Sequence, residues 1–114
     1  MGAGGRAVAL TRFQMRVYGL LAKIPRGKVT TYGALALALR CGSPRAVGQA
    51  LRANPCAPRV PCHRVVRADR TLGGYQGKDA GAAIRRKRAL LEGEGVRFDE
   101  RGRVRGDCVV RRVS

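Results

Sequence analysis

Apolar residues near the start of the chain recur every three or four positions, which is the spacing of one face of a helix. Thr11 precedes this run and carries a hydroxyl suited to capping a helix N-terminus, and the stretch IPRG ends the run. The sequence therefore predicts a first helix that begins after Thr11. Its core-facing positions are Phe13, Val17, Leu20, Leu21 and Ile24.

Two further helices are predicted before Asn54. Thr31 can cap the stretch YGALALAL, whose apolar residues predict a helix that faces the core along its whole length. Ser43 and Pro44 combine a capping hydroxyl with proline at a first helical position, and the Asn54-Pro55 pair ends the third helix. Three short helices, of which the third carries arginines, predict a helix-turn-helix.

The remaining sequence predicts less regular structure. From residue 56 to about 77 we expect short extended pieces and a loop, RADRTLGGYQG, that acts as a wing. A fourth helix is predicted from Ala82 to Leu91, and a β-hairpin around Arg101 and Gly102. The predicted fold class is mainly α: a winged helix-turn-helix with a three-helix core, an extended active-site segment, a wing loop and a small C-terminal hairpin. Residues 1–114 are expected to form a single domain.

The charge of the chain points to a polyanionic partner. The formal net charge is +17, and the first acidic residue is Asp69. A polyanion relieves the self-repulsion of such a chain, and nucleic acid also releases counterions when its phosphates are neutralised. A solvated basic surface without a partner is the alternative.

The sequence contains no apolar run close to the roughly 20 residues that span a bilayer, and its N-terminus is too short in apolar residues for a signal peptide. We therefore expect a cytoplasmic protein that does not contact a membrane. As separate expectations, the protein associates with DNA and is a monomer.

The stretch PCHRVV holds the candidate chemistry, because it places the only histidine of the chain, His63, directly after Cys62. A cysteine reacts as the thiolate, which a nearby imidazole or positive field favours. Neighbouring side chains of a strand point to opposite faces, so His63 reaches the thiol only at a bend, which Pro61 permits, or through a water molecule. A buried structural thiol is the alternative interpretation.

The other cysteines do not suggest a metal site or a disulfide framework. They form no paired CxxC motif, and in an intracellular protein we expect reduced thiols that are inert or packed in the core. These cysteines are Cys41, Cys56 and Cys108.

Four stretches in the same order, GKVTTYGALA, RAVGQALRANP, PCHRVV and GGYQG, resemble the methylated-DNA–protein-cysteine methyltransferases, also called O6-alkylguanine-DNA alkyltransferases. The resemblance covers about residues 11–98. It implies a repair enzyme that binds double-stranded DNA containing O6-alkylguanine, flips the damaged base out and transfers the alkyl group irreversibly to its own cysteine. It implies no cofactor and no metal.

The resemblance also assigns catalytic roles. Cys62 matches the alkyl acceptor, and His63 matches the histidine that deprotonates it through a bridging water. Glu94 matches the carboxylate that orients this histidine, Tyr32 the phenol that hydrogen-bonds the base, and Asn54 the asparagine that supports the active-site turn.

A second set of residues matches the family's contacts with DNA. The third helix enters the minor groove in this family, and Arg45 matches the finger that replaces the flipped nucleotide. From the residues alone, the small side chains of this helix serve either the groove or the core. The expected DNA-binding residues are Arg45, Ala46, Gly48, Gln49, Arg52, Tyr75 and Gln76, the last two in the flap over the base.

Three features depart from the family: the short segment before the first helix, a span between Tyr75 and Glu94 that is a few residues longer than in some relatives, and an unusually high net charge. Only about ten residues precede the first helix, so we expect neither the N-terminal domain of many relatives nor a metal bound there. The basic run Arg85–Arg88 is interpreted as a solvated or phosphate-facing patch, although Lys87 matches a family lysine near the site.

A non-catalytic alkyltransferase-like protein that recruits other repair factors is the main alternative function, but such relatives replace the acceptor cysteine. A winged-helix transcription regulator leaves PCHRVV without a purpose.

Overall fold

A computed structural model of the protein describes residues 10–55, 58–75 and 81–113. Four helices and a two-stranded sheet form its framework, with two 3-10 turns at Cys62–Arg64 and Gly106–Cys108. In chain order the elements are α1 (Arg12–Leu21), β1 (Thr30–Thr31), α2 (Tyr32–Ala38), α3 (Pro44–Arg52), β2 (Val65–Val66) and α4 (Ala82–Gly93).

Local capping explains where the first three helices begin. The Thr11 hydroxyl accepts a hydrogen bond from the backbone N–H of Gln14, whose side chain accepts one from the backbone N–H of Thr11. Thr31 caps α2, and Ser43 caps α3 immediately before Pro44. The three predicted helix starts are therefore confirmed.

The three helices pack around one apolar cluster, which includes the buried side chains of Val17, Leu35 and Val47. A buried hydrogen bond also joins the first helix to the third, because the Tyr18 hydroxyl donates to the backbone oxygen of Ala50 over 2.7 Å. Burial of Ala50 places that residue in the core, whereas Ala46 is half-buried. Helix α1 thus packs against the helix-turn-helix predicted from the sequence and stabilises it.

Strands β1 and β2 run parallel and connect the helical core to the segment around Cys62. Thr30 pairs with Val65, and Thr31 pairs with Val66. Each strand leads directly to or from a candidate site residue, since Thr31 precedes Tyr32 and Val65 follows the Cys62–Arg64 turn. The sheet therefore sets the spacing between these two parts of the chain.

The C-terminal segment forms the predicted hairpin and returns to the sheet. Phe98 and Val104 form an antiparallel bridge on either side of the turn at Gly102, whose φ of +78° suits glycine. Beyond the hairpin, Val109 pairs in parallel with Val29. A second apolar cluster joins the hairpin to α4 and to the strand region; it contains Val29, Val66, Leu72, Leu91, Val96, Val104 and Cys108.

Two local predictions were wrong. The first three residues after Pro61 form a 3-10 turn instead of an extended piece, and only Val65–Val66 is a strand. Helix α2 does not face the core along its whole length, because 77% of Leu37 is exposed. An α-helix turns its side chains through all directions, so a helix packed on one side exposes some residues even when every residue is apolar.

Candidate active site

Cys62 begins the 3-10 turn and is almost fully buried. Asn54 supports the chain just before it, because the Asn54 side-chain N–H donates to the backbone oxygen of Val60 over 2.8 Å. Burial raises the pKa of the Cys62 thiol, while a hydrogen bond with Asn54 and the positive charge of Lys87 act in the opposite direction. The thiol therefore needs a base to become a nucleophile at neutral pH.

His63 lies beside that thiol in sequence and is held by a carboxylate. Its Nε2 lies 2.9 Å from Oε2 of Glu94, and the imidazole is 1% exposed. Since an ionised carboxylate can only accept, Nε2 carries the proton of this hydrogen bond and Nδ1 of the neutral ring is left as an acceptor. In the described part of the chain, Nδ1 is buried and has no hydrogen-bond partner.

Burial also sets the protonation state of this pair. Desolvation lowers the pKa of His63 overall, although the hydrogen bond and charge of Glu94 partly oppose it. Desolvation raises the pKa of Glu94, but the hydrogen bonds from Arg64 and His63 outweigh it, so that this pKa is lowered overall. The arrangement can accept a proton at Nδ1 and stabilise the resulting imidazolium with a carboxylate.

Glu94 is fixed in place by groups from three segments. It is the C-cap of α4, and the Arg64 guanidinium donates to both of its carboxylate oxygens. The same guanidinium donates to the backbone oxygen of Ile24 over 2.8 Å. A Cβ atom at Gly27, whose φ is +89°, would lie only 3.1 Å from the backbone oxygen of Glu94. The loop after α1 can therefore approach Glu94 this closely because residue 27 is glycine.

A cavity of about 670 Å³ connects the thiol to the helix-turn-helix. Cys62 and Tyr32 line it, and burial raises the pKa of the Tyr32 hydroxyl, which therefore stays protonated and can donate a hydrogen bond. Ala46, predicted to contact DNA, is not among the residues that line the cavity. Residues of α3 that line it are Pro44, Arg45, Gly48, Gln49, Leu51 and Arg52.

Tyr75 lies at the end of the loop that follows β2 and is 3% exposed. Its ring meets the His63 imidazole edge to face, with the ring centroids 6.4 Å apart. Tyr75 also lines the cavity, so the structure places it beside both His63 and Cys62. Gln76, the other residue expected in the flap, lies outside the described residues.

Sequence reasoning missed two basic residues of the site and assigned a third to the wrong surroundings. Arg64 holds Glu94, and its position beside His63 was the available signal. Arg67 lines the cavity and packs against Gly73 near the Tyr32 hydroxyl. The interpretation of Arg85–Arg88 as a solvated or phosphate-facing patch was wrong for Lys87, which is completely buried. A basic residue in a basic run gives no local signal of burial.

The remaining cysteines lie apart from this arrangement. Cys41 is an exposed thiol, whereas Cys108 is buried in the second apolar cluster. Cys56 lies outside the described residues. Across residues 10–55, 58–75 and 81–113, no three His, Cys, Asp or Glu side chains are grouped so that they could hold a metal ion. No helix in the same ranges has the length and apolarity to cross a membrane.

Residues 12–96 match the family model described as 6-O-methylguanine DNA methyltransferase, DNA binding domain. A methylated-DNA–protein-cysteine methyltransferase of Methanothermobacter thermautotrophicus is 44% identical over 89 residues, which is 78% of this chain and 47% of that protein. One from Saccharolobus solfataricus is 47% identical over 88 residues, which is 77% of this chain and 54% of that protein. The chain thus spans about half the length of these curated relatives.

Solved structures also match the chain, and they differ in the share of their own length that the match covers. Mycobacterium tuberculosis OGT in complex with DNA has a TM-score of 0.69 and 46% identity, and the match covers 78% of this chain and 53% of that chain. S. pombe Atl1, in complex with damaged DNA containing O6-carboxymethylguanine, has a TM-score of 0.68 and 32% identity. In that case the match covers 86% of this chain and 91% of the Atl1 chain.

Proposed function

Because the chain belongs to the family of 6-O-methylguanine DNA methyltransferase DNA-binding domains, we propose that it repairs DNA by transferring an alkyl group from O6 of guanine to Cys62. The observation that carries the proposal is the position of the Cys62 thiol. It lines a cavity shared with α3, and the next residue is a histidine whose ring is oriented by Glu94. This is the order of nucleophile, base and orienting group that cysteine activation requires.

The proposed reaction begins with proton transfer. The thiol proton passes through a water molecule to Nδ1 of His63, whose Nε2 remains hydrogen-bonded to Glu94. The sulfur then attacks the alkyl carbon; its carbon–sulfur bond forms as the carbon–oxygen bond to guanine breaks. The electrons of the broken bond stay on guanine, which takes up one proton and becomes the unmodified base. The thiol proton held by His63 supplies this proton through water, so His63 returns to its neutral form. The thioether is stable, so each protein molecule accepts one alkyl group and no cofactor is needed.

Access to the damaged base requires its extrusion from the duplex, because O6 is unreachable for this chemistry inside the stack. We propose that α3 lies in the minor groove, with Gly48, Gln49 and Arg52 along it, and that Arg45 fills the gap. The cavity between α3 and Cys62 supports this arrangement. Tyr32 would donate a hydrogen bond to the departing base, and Tyr75 would close the pocket over it.

We further propose that the chain acts as a monomeric domain on double-stranded DNA in the cytoplasm. The first point is supported by the His63–Glu94 hydrogen bond and the cavity that Cys62 lines, both of which form within a single copy of the chain. The second follows from the substrate, since the protein must reach the DNA that it repairs. Sedimentation of the alkyl-DNA complex and cell fractionation test these two points separately.

A non-catalytic lesion-binding function is the second candidate, and one observation favours it. The chain matches S. pombe Atl1, whose structure contains damaged DNA with O6-carboxymethylguanine, at 32% identity over 86% of this chain. The presence of Cys62 beside an oriented histidine favours the transferase.

Duplex DNA with a radiolabelled methyl group on O6 of guanine distinguishes the two functions. We expect one equivalent of label per protein, on the peptide that contains Cys62. Cys62→Ser should abolish transfer and retain lesion binding, because a hydroxyl is a far weaker nucleophile. His63→Ala should retain slow transfer that recovers as pH rises and the thiolate fraction increases.

Cys41→Ser is the matched control, since Cys41 is an exposed thiol that does not line the cavity, and it should transfer normally. Label that remains on DNA in a tight complex with the unaltered protein would establish the lesion-binding function instead. Label on another cysteine, multiple turnovers, or full activity of the serine variant would contradict Cys62 as the acceptor.

A further inference from the structure

Lys87 is the one residue of the run Arg85–Arg88 whose side chain is fully buried. A buried ammonium group is costly unless its protons are paired, and a lysine seldom occupies the core without a reason. The reaction proposed above does not use this group. Its surroundings therefore need a separate explanation.

The Lys87 ammonium is paired with three backbone carbonyls from two segments. Its Nζ donates to the oxygen of Val65 over 2.8 Å, to that of Leu72 over 2.5 Å and to that of Gly74 over 3.0 Å. An ammonium has three donors, so the set is complete. Val65 lies in β2, three residues after Cys62, while Leu72 and Gly74 belong to the loop that ends at Tyr75.

Both segments that Lys87 joins are parts of the active site. Gly74 and Tyr75 line the cavity with Cys62, and Tyr75 meets the His63 ring. The positive charge of Lys87 also favours the Cys62 thiolate, as the thiolate in turn favours the protonated amine. Within the described residues, Cys62 and Arg67 are the charged groups that influence the charge of Lys87.

We propose that Lys87 is a positioning residue: it ties the loop of residues 72–75 to β2 and supplies a buried positive charge that stabilises the Cys62 thiolate. The hydrogen bonds from Lys87 to the three carbonyls hold the loop that contains Tyr75 close to the 3-10 turn of Cys62–Arg64. The charge acts through the low-dielectric interior, where it is screened less than a surface arginine. Its consequence for alkyl transfer rests on the proposed function, but its effect on the thiol does not.

Several other groups lie near Lys87 and Cys62 and influence, or respond to, their charges. Desolvation lowers the pKa of Lys87 to about 8, Cys62 opposes this, and Arg67 adds to it. The positive charge of Lys87 also contributes to lowering the pKa of His63. Tyr32 and Tyr75 face Cys62, and burial raises the pKa of both hydroxyls, so they stay neutral where the thiol titrates.

Two variants separate the charge from the hydrogen bonds. Lys87→Gln keeps donors for carbonyls and removes the charge, whereas Lys87→Met removes both. Arg85→Gln is the matched control, because Arg85 is exposed on the same helix and loses the same charge. The rate at which iodoacetamide modifies Cys62 is measured from pH 6 to pH 10 by peptide mass, without DNA, and its midpoint reports the thiolate.

We expect modification of Cys62 at pH 7, where Lys87 is protonated, to slow about tenfold in both Lys87 variants and to stay unchanged in Arg85→Gln. Alkyl transfer at pH 7 should fall by a similar factor and recover in alkali. Amide hydrogen exchange at residues 72–75 should accelerate more in Lys87→Met than in Lys87→Gln. A folded Lys87→Gln protein with the wild-type rate of modification at pH 7 would overturn the electrostatic role, and unchanged exchange in Lys87→Met would overturn the loop role.

If both variants fail to fold, the unaltered protein decides. Coupled titration of Lys87 and Cys62 broadens the thiol curve beyond that of a single group, because each lost proton makes the other harder to remove. A curve of normal width would overturn the coupling. Failure of the proposed function would instead appear as absent label transfer with the iodoacetamide results intact.

Discussion

The Arg64 guanidinium donates hydrogen bonds to both carboxylate oxygens of Glu94, with Nε 2.9 Å from Oε1 and Nη2 3.0 Å from Oε2. The side chains are only 16% and 13% exposed. Two parallel hydrogen bonds fix a carboxylate in orientation as well as in position. Oε2 of Glu94, which accepts the hydrogen bond from Nε2 of His63, is therefore also held by Arg64, the next residue in the chain.

Arg64→Lys should slow alkyl transfer while leaving lesion binding nearly unchanged. A lysine cannot make the paired contact, so Glu94 loses its fixed orientation and the His63 ring its support. We expect a loss of about tenfold in the single-turnover rate, typical of a second group that acts through a catalytic one. Arg101→Lys, in the exposed hairpin, is the control. A normal rate in Arg64→Lys would show that Glu94 is positioned without it.

Glu94→Gln should move the acid limb of the transfer rate to lower pH as well as reduce the maximum. Burial holds the pKa of His63 below its ordinary value of 6.5, and Glu94 partly restores it. Removing the carboxylate removes that restoring effect, so the pKa of His63 falls further and the imidazole becomes a weaker base. Single-turnover rates between pH 4.5 and pH 8 test the direction. A midpoint that moves upward would contradict the Glu94–His63 pairing.

Arg45→Ala should impair repair of duplex DNA more than repair of a single strand. Only the duplex has a stack whose gap must be filled when the base leaves, and Arg45 is exposed at the start of α3 beside the cavity. The ratio of the two rates is the measurement, because it cancels any loss of general DNA affinity. Arg12→Ala, on the exposed side of α1, should leave the ratio unchanged. Equal losses on both substrates would remove the wedge role.

Affinity for unmodified duplex should fall steeply with salt. A chain of net charge +17 that neutralises several phosphates releases a counterion for nearly every contact. The slope of log K against log salt concentration gives the number of contacts, and Arg52→Ala should reduce it by about one. A constant that stays flat from low to high salt would contradict the electrostatic basis of binding.

Tyr18→Phe should destabilise the domain without altering its chemistry. The lost hydroxyl donates to the Ala50 oxygen in the core, and leaving that carbonyl unpaired costs about 1–3 kcal/mol. We expect a melting temperature several degrees lower and an unchanged transfer rate at 25 °C. An unaltered melting temperature would mean that another group satisfies Ala50.

Much of the fold could be predicted because its signals are local. Thr11, Thr31 and the Ser43-Pro44 pair each act within one helical turn, so the sequence alone locates the first three helix starts. Pairing of β1 with β2 has no such signal, because two-residue strands lack a periodic pattern and lie far apart in the chain. The roles of Cys62 and Glu94 came from resemblance, and their geometry required the fold. Burial of Lys87 depends on carbonyls from distant segments and could not be inferred from a basic run.

The parallel pairing of β1 with β2 has a consequence for engineering the pocket. Tyr32 and Cys62 belong to segments tied by backbone hydrogen bonds at Thr30–Thr31 and Val65–Val66, not by the side chains that line the cavity. Wall residues can therefore be exchanged to admit larger adducts while the thiol keeps its place. A single inserted residue between Cys62 and Val65 would instead either lengthen the turn and displace the thiol, or shift the register of β2 and turn its side chains to the opposite face. Libraries that seek new alkyl specificities should thus vary side-chain identity and preserve chain length through this segment.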